Sequence, residues 1–459
     1  MIKKSMIMLL VLSAFCPAAA LADTQQLVAG AAKKTEGAIA VLSFKLTTEL
    51  GSRPVAGQAL CINSSGLFMS VVFDPAVKPD QISEMKLTTP GLGGKSVAAK
   101  LVGVDPEMGM GFVQALGEAK WTPLEFAEKA DLEIGQEVVS VGLMPAETGY
   151  VRYFGAAWVS SLLRIPEKEY YVTGGKLTSP GSPVLTADGK VVGIVHRQQQ
   201  LSQEFIATDR GAIPVRTTMQ YETSFFMPID ELRSIIAGAG KDRKLSWIGV
   251  VKFKPVGEDV ATAMKLDRPG VMIGATVPDT PAAQAKLQER DVIISMNGQG
   301  IEVLGTPELT AQNLDRRLMR MPVGTPVQLS VFRDGNMLDV SLKTAAMPMM
   351  WFHAERYYSS AMGLGVRERV ALDGYLEGSP DSKAPGVVVY FLRREGPAEG
   401  ARVRTNDVMV SVAGTSVATV DAFKTVEQRI LANPSLKEIE LEVMRGETKE
   451  TLKIKLPNR

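Results

Sequence analysis

The chain has 459 residues, a length typical of about three domains. Hydrophobic residues make up 45% and charged residues 22%, which excludes a long disordered chain and a multi-span membrane protein. The 51 basic and 50 acidic side chains leave no positive excess that would indicate a nucleic-acid partner. The histidines are His196 and His353, and the cysteines are Cys16 and Cys61. A zinc site of His and Cys ligands has almost no residues to draw on, and we expect no cofactor.

The first predicted element is a targeting segment. Two lysines in residues 1–4 precede an apolar run at 6–15, and Ala20-Leu21-Ala22 follows. This order of charged, apolar and small residues is typical of a secretory signal peptide over residues 1–22. We expect cleavage near Ala22, a periplasmic or secreted protein and no transmembrane segment. The alternative is a lipoprotein signal with Cys16 as the lipidated residue, although Phe15 before it is a poor fit.

Residues 23–240 are predicted to form a domain of short strands. The predicted strands are 38–46, 58–62, 67–73, 136–142 and 191–195. Many short strands separated by Gly and Pro turns are typical of a barrel or sandwich. A helix is predicted at 231–239, and a polar linker overlaps its end at 238–244. After signal cleavage only Cys61 remains, so no intramolecular disulfide is expected.

Residues 245–345 and 360–457 form an internal repeat. The first copy opens with Trp247-Ile248-Gly249-Val250 and the second with Gly363-Leu364-Gly365-Val366. Each copy continues with Pro-Gly-Val, a Pro-Ala helix start, an Asp-Val strand, a further helix and a final hairpin. A segment rich in Met and aromatic residues, 346–360, is predicted to be a linker that packs between the copies.

These repeats resemble PDZ domains, because the second opening matches the GLGF loop of that family with one conservative change. The resemblance implies that successive backbone N–H groups bind a terminal carboxylate, and that the ligand adds as a strand beside the next strand. Trp247 departs from the motif and is expected to fill or shape the pocket. The alternative is that each loop merely begins a strand. The predicted peptide-binding residues are Trp247, Ile248, Gly249, Val250, Gly363, Leu364, Gly365 and Val366.

A signal peptide, a β-rich domain and two PDZ-like repeats together resemble the HtrA family of periplasmic proteases. The stretches Leu132-Glu133-Ile134-Gly135-Gln136 and Phe226-Met227-Pro228-Ile229 are similar to that family. The resemblance implies a mainly β fold, in which a chymotrypsin-like double β-barrel is followed by two PDZ domains. It also implies homo-oligomers, trimers or larger, assembled through the first domain.

The catalytic positions of that family have lost their chemistry here. Aligned with the family's GNSGGP loop, residues 178–183 place Pro180 at the nucleophile. The same resemblance places Phe73 at the histidine position and Gly109 at the aspartate position. A serine protease needs a hydroxyl, a base and an orienting carboxylate, and the nucleophile's backbone N–H serves the oxyanion hole. Pro180 lacks both hydroxyl and N–H, so we predict a protein that is not an enzyme.

The predicted function is an exported pseudoprotease that binds C-termini or unfolded segments of proteins through its PDZ domains. It would act as a chaperone, adaptor or regulator in envelope protein quality control. One alternative is an active endopeptidase with a rearranged site at Ser179 or Ser182. Another is a structural envelope protein whose PDZ folds bind no peptide, and a blocked carboxylate groove would favour it.

Overall fold

The computed structural model describes residues 18–117, 119–197, 204–208, 211–215, 224–241, 243–376, 379–380, 384–433 and 435–456. The apolar part of the predicted signal peptide, together with Cys16, lies outside these residues. Helix α1 (Ala18–Lys34) begins inside the predicted leader and continues past Ala22. Among the described residues, no helix is both long and apolar enough to cross a membrane.

The first barrel closes in the strand order β1-β2-β3-β6-β5-β4. Its strands are β1 (Ile39–Thr48), β2 (Gly51–Cys61), β3 (Leu67–Ser70), β4 (Ile82–Thr88), β5 (Ser96–Val104) and β6 (Gly111–Leu116). The buried Cys61 lies in the core of this barrel, where burial raises the pKa of its thiol to about 11. The predicted strand 67–73 was too long at its end. The ladder stops where Ser70 pairs with Gly111, the first residue of β6, and Phe73 lies in the loop beyond.

The second barrel closes in the order β10-β11-β14-β9-β8-β7. Its strands are β7 (Glu137–Leu143), β8 (Arg152–Ile165), β9 (Glu167–Thr173), β10 (Pro183–Leu185), β11 (Val191–Arg197) and β14 (Ser224–Pro228). A separate hairpin is formed by β12 (Glu204–Thr208) and β13 (Gly211–Val215). Helix α2 (Ile229–Ala237) buries Ile229, Leu232 and Ile235 against this barrel. One apolar core includes residues of both barrels, so the two form a single domain.

The first repeat forms a sheet in the order β16-β17-β18-β20-β21. Its elements are β15 (Ser246–Trp247), β16 (Val250–Pro255), α3 (Glu258–Ala263), β17 (Val271–Thr276), α4 (Pro281–Gln284), β18 (Val292–Met296), β19 (Gln299–Gly300), α5 (Pro307–Arg320), β20 (Pro326–Arg333), β21 (Asn336–Lys343) and β22 (Ala345–Ala346). The Thr306 hydroxyl caps α5 by accepting a hydrogen bond from the Leu309 N–H at 3.3 Å. Strand β16 lies at the edge of the sheet, because β15 pairs with β22 instead.

The second repeat forms a sheet in the order β23-β24-β25-β26-β28-β29. Its elements are β23 (Arg356–Ser359), β24 (Leu364–Arg367), β25 (Val387–Leu392), α6 (Pro397–Gly400), β26 (Val408–Val412), β27 (Thr415–Ser416), α7 (Val420–Leu431), β28 (Glu438–Arg445) and β29 (Thr448–Lys455). The end of the predicted linker 346–360 is therefore a strand of this sheet. The start of that linker packs as predicted, with Met347 and Met350 against Trp247 and Leu372.

An ion-pair network holds helix α5 against the first domain. The Arg316 guanidinium donates to Glu231 at 2.7 Å, and Arg320 donates to Glu107 at 2.6 Å. Arg243, in the linker after α2, also donates to Glu107 at 2.9 Å. Burial alone would raise the pKa of Glu231, but Arg316 and Arg320 lower it below its usual range. The network fixes α5, which forms one wall of the groove described below.

The strand-dominated domains confirm the predicted mainly β fold. Two six-stranded closed barrels, arranged as in chymotrypsin, are followed by two PDZ-type sheets with their helices. The alternation of short strands and Gly or Pro turns was the signal that predicted this class.

Candidate functional site

Phe73 occupies an apolar pocket at the edge of the first barrel. Its side chain is 5% exposed and stacks on Phe44 with ring centroids 5.2 Å apart. The ring lies directly over Gly111, where a methyl group would come within 2.0 Å of Cδ2 of Phe73. Gly109, with a φ of +65°, lies beside the Phe73 carbonyl. The structure thus brings Phe73 and Gly109 together, and neither side chain can accept or orient a proton.

Pro180 is an exposed residue in a tight turn. The Ser182 N–H donates to the Ser179 carbonyl at 3.1 Å, and Gly181 has a φ of +86°. Proline at the second position and a positive-φ glycine at the third are typical of a type II turn. A methyl group on Gly181 would lie 2.5 Å from Cγ2 of Val71, in the loop that carries Phe73. The three predicted positions therefore lie on neighbouring loops between the barrels.

The serines beside Pro180 contact an amide. Ser182 is fully buried, and its hydroxyl donates to Oε1 of Gln58 at 3.3 Å and lies 3.5 Å from the Ser179 hydroxyl. The Gln58 amide in turn donates to the Val141 carbonyl at 2.9 Å. An amide cannot take the proton of a serine hydroxyl, so these contacts activate neither serine.

Of the two histidines, His353 has a described contact, which lies away from this serine cluster. Nε2 of His353 lies 2.8 Å from the Pro75 carbonyl, which ties the segment between the PDZ repeats to the first barrel. The side chain of His196 lies outside the described residues.

The first repeat has an open groove between β16 and α5. Its volume is about 550 Å³, and its walls are mainly apolar side chains from the repeat, the segment after it and the second repeat. Representative wall residues are Val251, Phe253, Met319, Met350 and Leu372. Because β16 is an edge strand, its outer backbone groups are available to an added strand.

The loop at the end of this groove is held to the rest of the repeat through its backbone carbonyls. The Ile248 carbonyl accepts from Ala282 at 2.7 Å, and the Gly249 carbonyl accepts from Val277 at 2.9 Å. Within the described part of the chain, the N–H groups of Ile248 and Gly249 donate to no backbone carbonyl. Trp247 is 8% exposed, packs with Val277 and lines the groove.

One carboxylate faces this groove without a described partner. Asp315 of α5 lines the groove between Gln312 and Met319, and burial raises the pKa of its carboxyl to about 6. No Lys, Arg or His is among the described residues that line the groove. Lys252 on β16 packs instead over Gly274, on the other face of the strand.

In the second repeat the corresponding groove is filled by the protein's own chain. Strand β23 pairs antiparallel with β24, so that Ser359 lies opposite Leu364 and Tyr357 opposite Val366. The Ser359 carbonyl accepts from the Gly363 N–H at 2.8 Å, and its hydroxyl accepts from the Met362 N–H at 3.0 Å. The loop N–H groups that would bind a terminal carboxylate are therefore already used.

The side chains of β23 also bind helix α7. The Tyr357 hydroxyl donates to Oε2 of Glu427 at 2.6 Å, and the Ser359 hydroxyl donates to the other oxygen. The Tyr357 ring packs edge-on against Phe423, 6.0 Å between centroids. Burial and the bond to Glu427 raise the pKa of the Tyr357 hydroxyl to about 12.

This occupancy corrects the predicted peptide site of the second repeat. The residues Gly363, Leu364, Gly365 and Val366 do line a ligand-type groove, but β23 fills it. An outside peptide is sterically excluded from them while β23 stays paired. Sequence reasoning also missed Asp315 and Glu427, although each directly follows an apolar residue of its helix's buried stripe, Leu314 and Val426.

Comparison with known proteins agrees with this architecture. Residues 59–194 match the trypsin-like peptidase domain family, and residues 251–344 and 360–456 match the PDZ domain family. A probable periplasmic DegP-like serine endoprotease of Pseudomonas putida strain W619 is 26% identical over 357 residues, which cover 74% of this chain and 68% of the relative. The chain belongs to the HtrA family. This confirms the resemblance predicted from the sequence.

Other HtrA-type proteins are similar to part of this chain. The DegP-like relative from Halomonas elongata is 25% identical over 339 residues, covering 71% of this chain and 64% of the relative. A solved structure of the HtrA-type protease AlgW with a decapeptide covers 70% of this chain and 99% of its own. Its TM-score of 0.52 at 16% identity shows that the two HtrA-type chains share a fold.

Proposed function

We propose that this HtrA-family protein is a pseudoprotease that binds extended segments of other proteins in its first PDZ groove. It acts as a chaperone, adaptor or regulator in envelope protein quality control. The observation that carries the proposal is the open edge of β16 beside a loop whose N–H groups, at Ile248 and Gly249, lack a described backbone acceptor. An extended peptide with a free carboxylate supplies both a strand for the edge and an acceptor for the loop.

The loss of catalysis is the second part of the proposal. Phe73, Gly109 and Pro180 stand at the family's histidine, aspartate and serine positions, and each lacks the group that the reaction needs. Loss of a triad lowers the turnover rate by about a millionfold. The contact of Ser182 with the Gln58 amide supports the same conclusion, because the amide oxygen that accepts from this hydroxyl is not a base.

The two PDZ domains support different functions. The filled groove of the second domain favours a structural role for that domain, as the blocked-groove alternative anticipated. The open groove of the first domain favours binding instead. Export to the periplasm is supported by the periplasmic relatives, and assembly into trimers remains a prediction that light scattering tests.

The direct test is to incubate the purified protein with a chemically unfolded protein. Cleavage is followed on a gel and aggregation by light scattering. We expect intact substrate and suppressed aggregation. Cleavage that persists in Phe73→Ala and Pro180→Ala but disappears in Ser182→Ala would instead establish a rearranged protease site.

Disulfide trapping then locates the bound segment. Gln312→Cys places a thiol on the exposed wall of the first groove, and Lys252→Cys places one on the opposite face of β16. The native Cys61 is fully buried and gives little background. We expect a cysteine-bearing peptide to be trapped at position 312 and not at 252. Equal trapping at both positions would exclude the groove as the binding site.

A further inference from the structure

The filled groove of the second PDZ domain shows how a ligand strand is recognised from the helix side. Helix α7 packs into its core with Phe423, Val426 and Ile430, spaced by three and four residues. Glu427 directly follows Val426 and is 2% exposed. Its carboxylate accepts hydrogen bonds from two residues of β23, which occupies the ligand's place.

Helix α5 of the first domain repeats this pattern. Ala311, Leu314 and Leu318 pack into the core with the same spacing of three and four residues. Asp315 directly follows Leu314, as Glu427 follows Val426. The two acids therefore occupy equivalent positions on equivalent helices, and both face a groove.

The difference lies in what the two acids contact. Glu427 is satisfied by hydroxyl donors from the protein itself. No hydrogen bond or ion pair is described for Asp315, and the other residues that line the groove are apolar or acidic except for the neutral amide of Gln312. Asp315 is half-buried, and removing even part of a carboxylate from water without a donor is costly, so desolvation raises its pKa. A ligand that supplies a hydrogen-bond donor to Asp315 removes this energetic cost.

We infer that Asp315 determines the specificity of the first PDZ groove, which selects extended segments that present a lysine or arginine side chain to this carboxylate. The inference rests on the proposed function of the groove. Charge complementarity favours a cationic ligand side chain, because no described groove residue carries a positive charge that could pair with Asp315. The arginines near the rim of the groove bind Glu107 instead. Charge-assisted hydrogen bonds are also stronger than neutral ones.

The pairing of β23 predicts where the cation belongs in the ligand. Tyr357 and Ser359, two residues apart, both point to α7, and they lie opposite Val366 and Leu364. By their backbone hydrogen bonds and sheet register, the first-domain equivalent of Leu364 is Val250 and that of Val366 is Phe253, and both of these residues line the groove. Side chains alternate along a strand, so the last and third-from-last residues of a bound peptide face Asp315 and the residue between them faces away.

The test measures the affinity of short valine-rich peptides with a free C-terminus by calorimetry on the full chain. Lysine is placed at the last, second-last or third-last position, with glutamine and glutamate peptides for comparison. We expect lysine to bind about tenfold tighter than glutamine at the last or third-last position and to gain nothing at the second-last. We expect glutamate at the favoured position to bind weaker than glutamine.

Two variants of α5 complete the experiment. Asp315→Asn keeps the shape of the side chain and is expected to abolish the lysine preference. Glu308→Gln removes an exposed carboxylate from the same groove and is expected to keep it. A thermal melt checks that both variants fold.

The outcomes separate this inference from the proposed function. Binding of every peptide with no lysine preference, or a preference that survives in Asp315→Asn, would overturn the inference alone. Failure of all peptides to bind would overturn the proposed function as well. A preference for lysine at the second-last position would show that the ligand lies in a different register.

Discussion

The two PDZ domains of this chain share sequence motifs, the order of the strands after the loop and an acidic residue at the same helix position, yet one groove is open and the other is closed. The difference arises from the strand before each carboxylate-binding loop. In the first domain β15 pairs with β22 and leaves the edge of β16 exposed. In the second domain β23 folds back onto β24 and takes the ligand's place. A domain can therefore keep the PDZ fold while its binding edge is used internally.

Contacts with the first barrel help to hold β23 in the second groove. Glu49, near the tip of the β1–β2 hairpin, lies 3.9 Å from the Arg356 guanidinium and accepts from the Tyr390 hydroxyl at 2.5 Å. Lys424 of α7 donates to Glu355, just before β23, at 2.8 Å. The closed groove is thus part of the interface between this domain and the first barrel.

The largest expected effect comes from removing the donors that satisfy Glu427. The double variant Tyr357→Phe with Ser359→Ala leaves this buried carboxylate without its hydroxyl partners. We expect a loss of about 3 kcal/mol in the free energy of unfolding, measured by urea denaturation. The matched change in the first domain, Asp315→Asn, is expected to leave stability unchanged or slightly increased, because it removes an unpaired charge.

A control variant in the same strand sharpens this result. Tyr358→Phe removes the hydroxyl of the residue between, whose ring packs against Phe391 rather than α7. We expect a change within about 0.5 kcal/mol. If the double variant were as stable as this control, the bonds to Glu427 would not hold β23 in place.

A smaller effect is expected from the anchor of helix α5. Arg316 is 8% exposed and binds Glu231, Glu107 and Glu167, so Arg316→Met should cost about 2 kcal/mol of unfolding free energy. The matched control is Arg429→Met, an exposed arginine of α7, with an expected cost near zero. Thermal or urea unfolding measures the free energy of unfolding of both variants. Equal stability would show that the network does not fix α5.

The smallest expected effect is the pH dependence of peptide binding in the first groove. Protonation of Asp315, with its pKa of about 6, removes the charge that pairs with a ligand lysine. Affinity should therefore fall as pH falls, about tenfold between pH 7.5 and pH 5. The other acids of this groove are Glu308, which is exposed, and Glu107, which accepts hydrogen bonds from Arg243 and Arg320. A flat profile for the wild type, or a sloping one for Asp315→Asn, would contradict this assignment.

Local patterns in the sequence predicted a barrel or sandwich and the repeat, and the family resemblance predicted the double barrel and both loops. Short strands between turns, and Gly249 and Gly365 within the loop motifs, are visible in a single pass along the chain. The pairing of β23 was not predictable in this way. Arg356-Tyr357-Tyr358-Ser359 has the composition of a strand, but nothing local decides whether it pairs with the end of the sheet or with β24. From the sequence alone, Asp315 and Glu427 have the pattern of exposed helix residues, because the groove beside each of them is formed by residues distant in the sequence.

The central claim is that the first groove binds a peptide, the second groove is closed and the protein does not cleave what it binds. The most direct test measures how many peptides bind to each chain and whether they stay intact. The purified chain is titrated by calorimetry with a peptide that carries lysine at the favoured position, and mass spectrometry then examines the recovered peptide. The account predicts one intact peptide per chain, with the affinity reduced by Asp315→Asn. Two bound peptides per chain would show that β23 does not close the second groove, and a cleaved peptide would show that the protein is a protease.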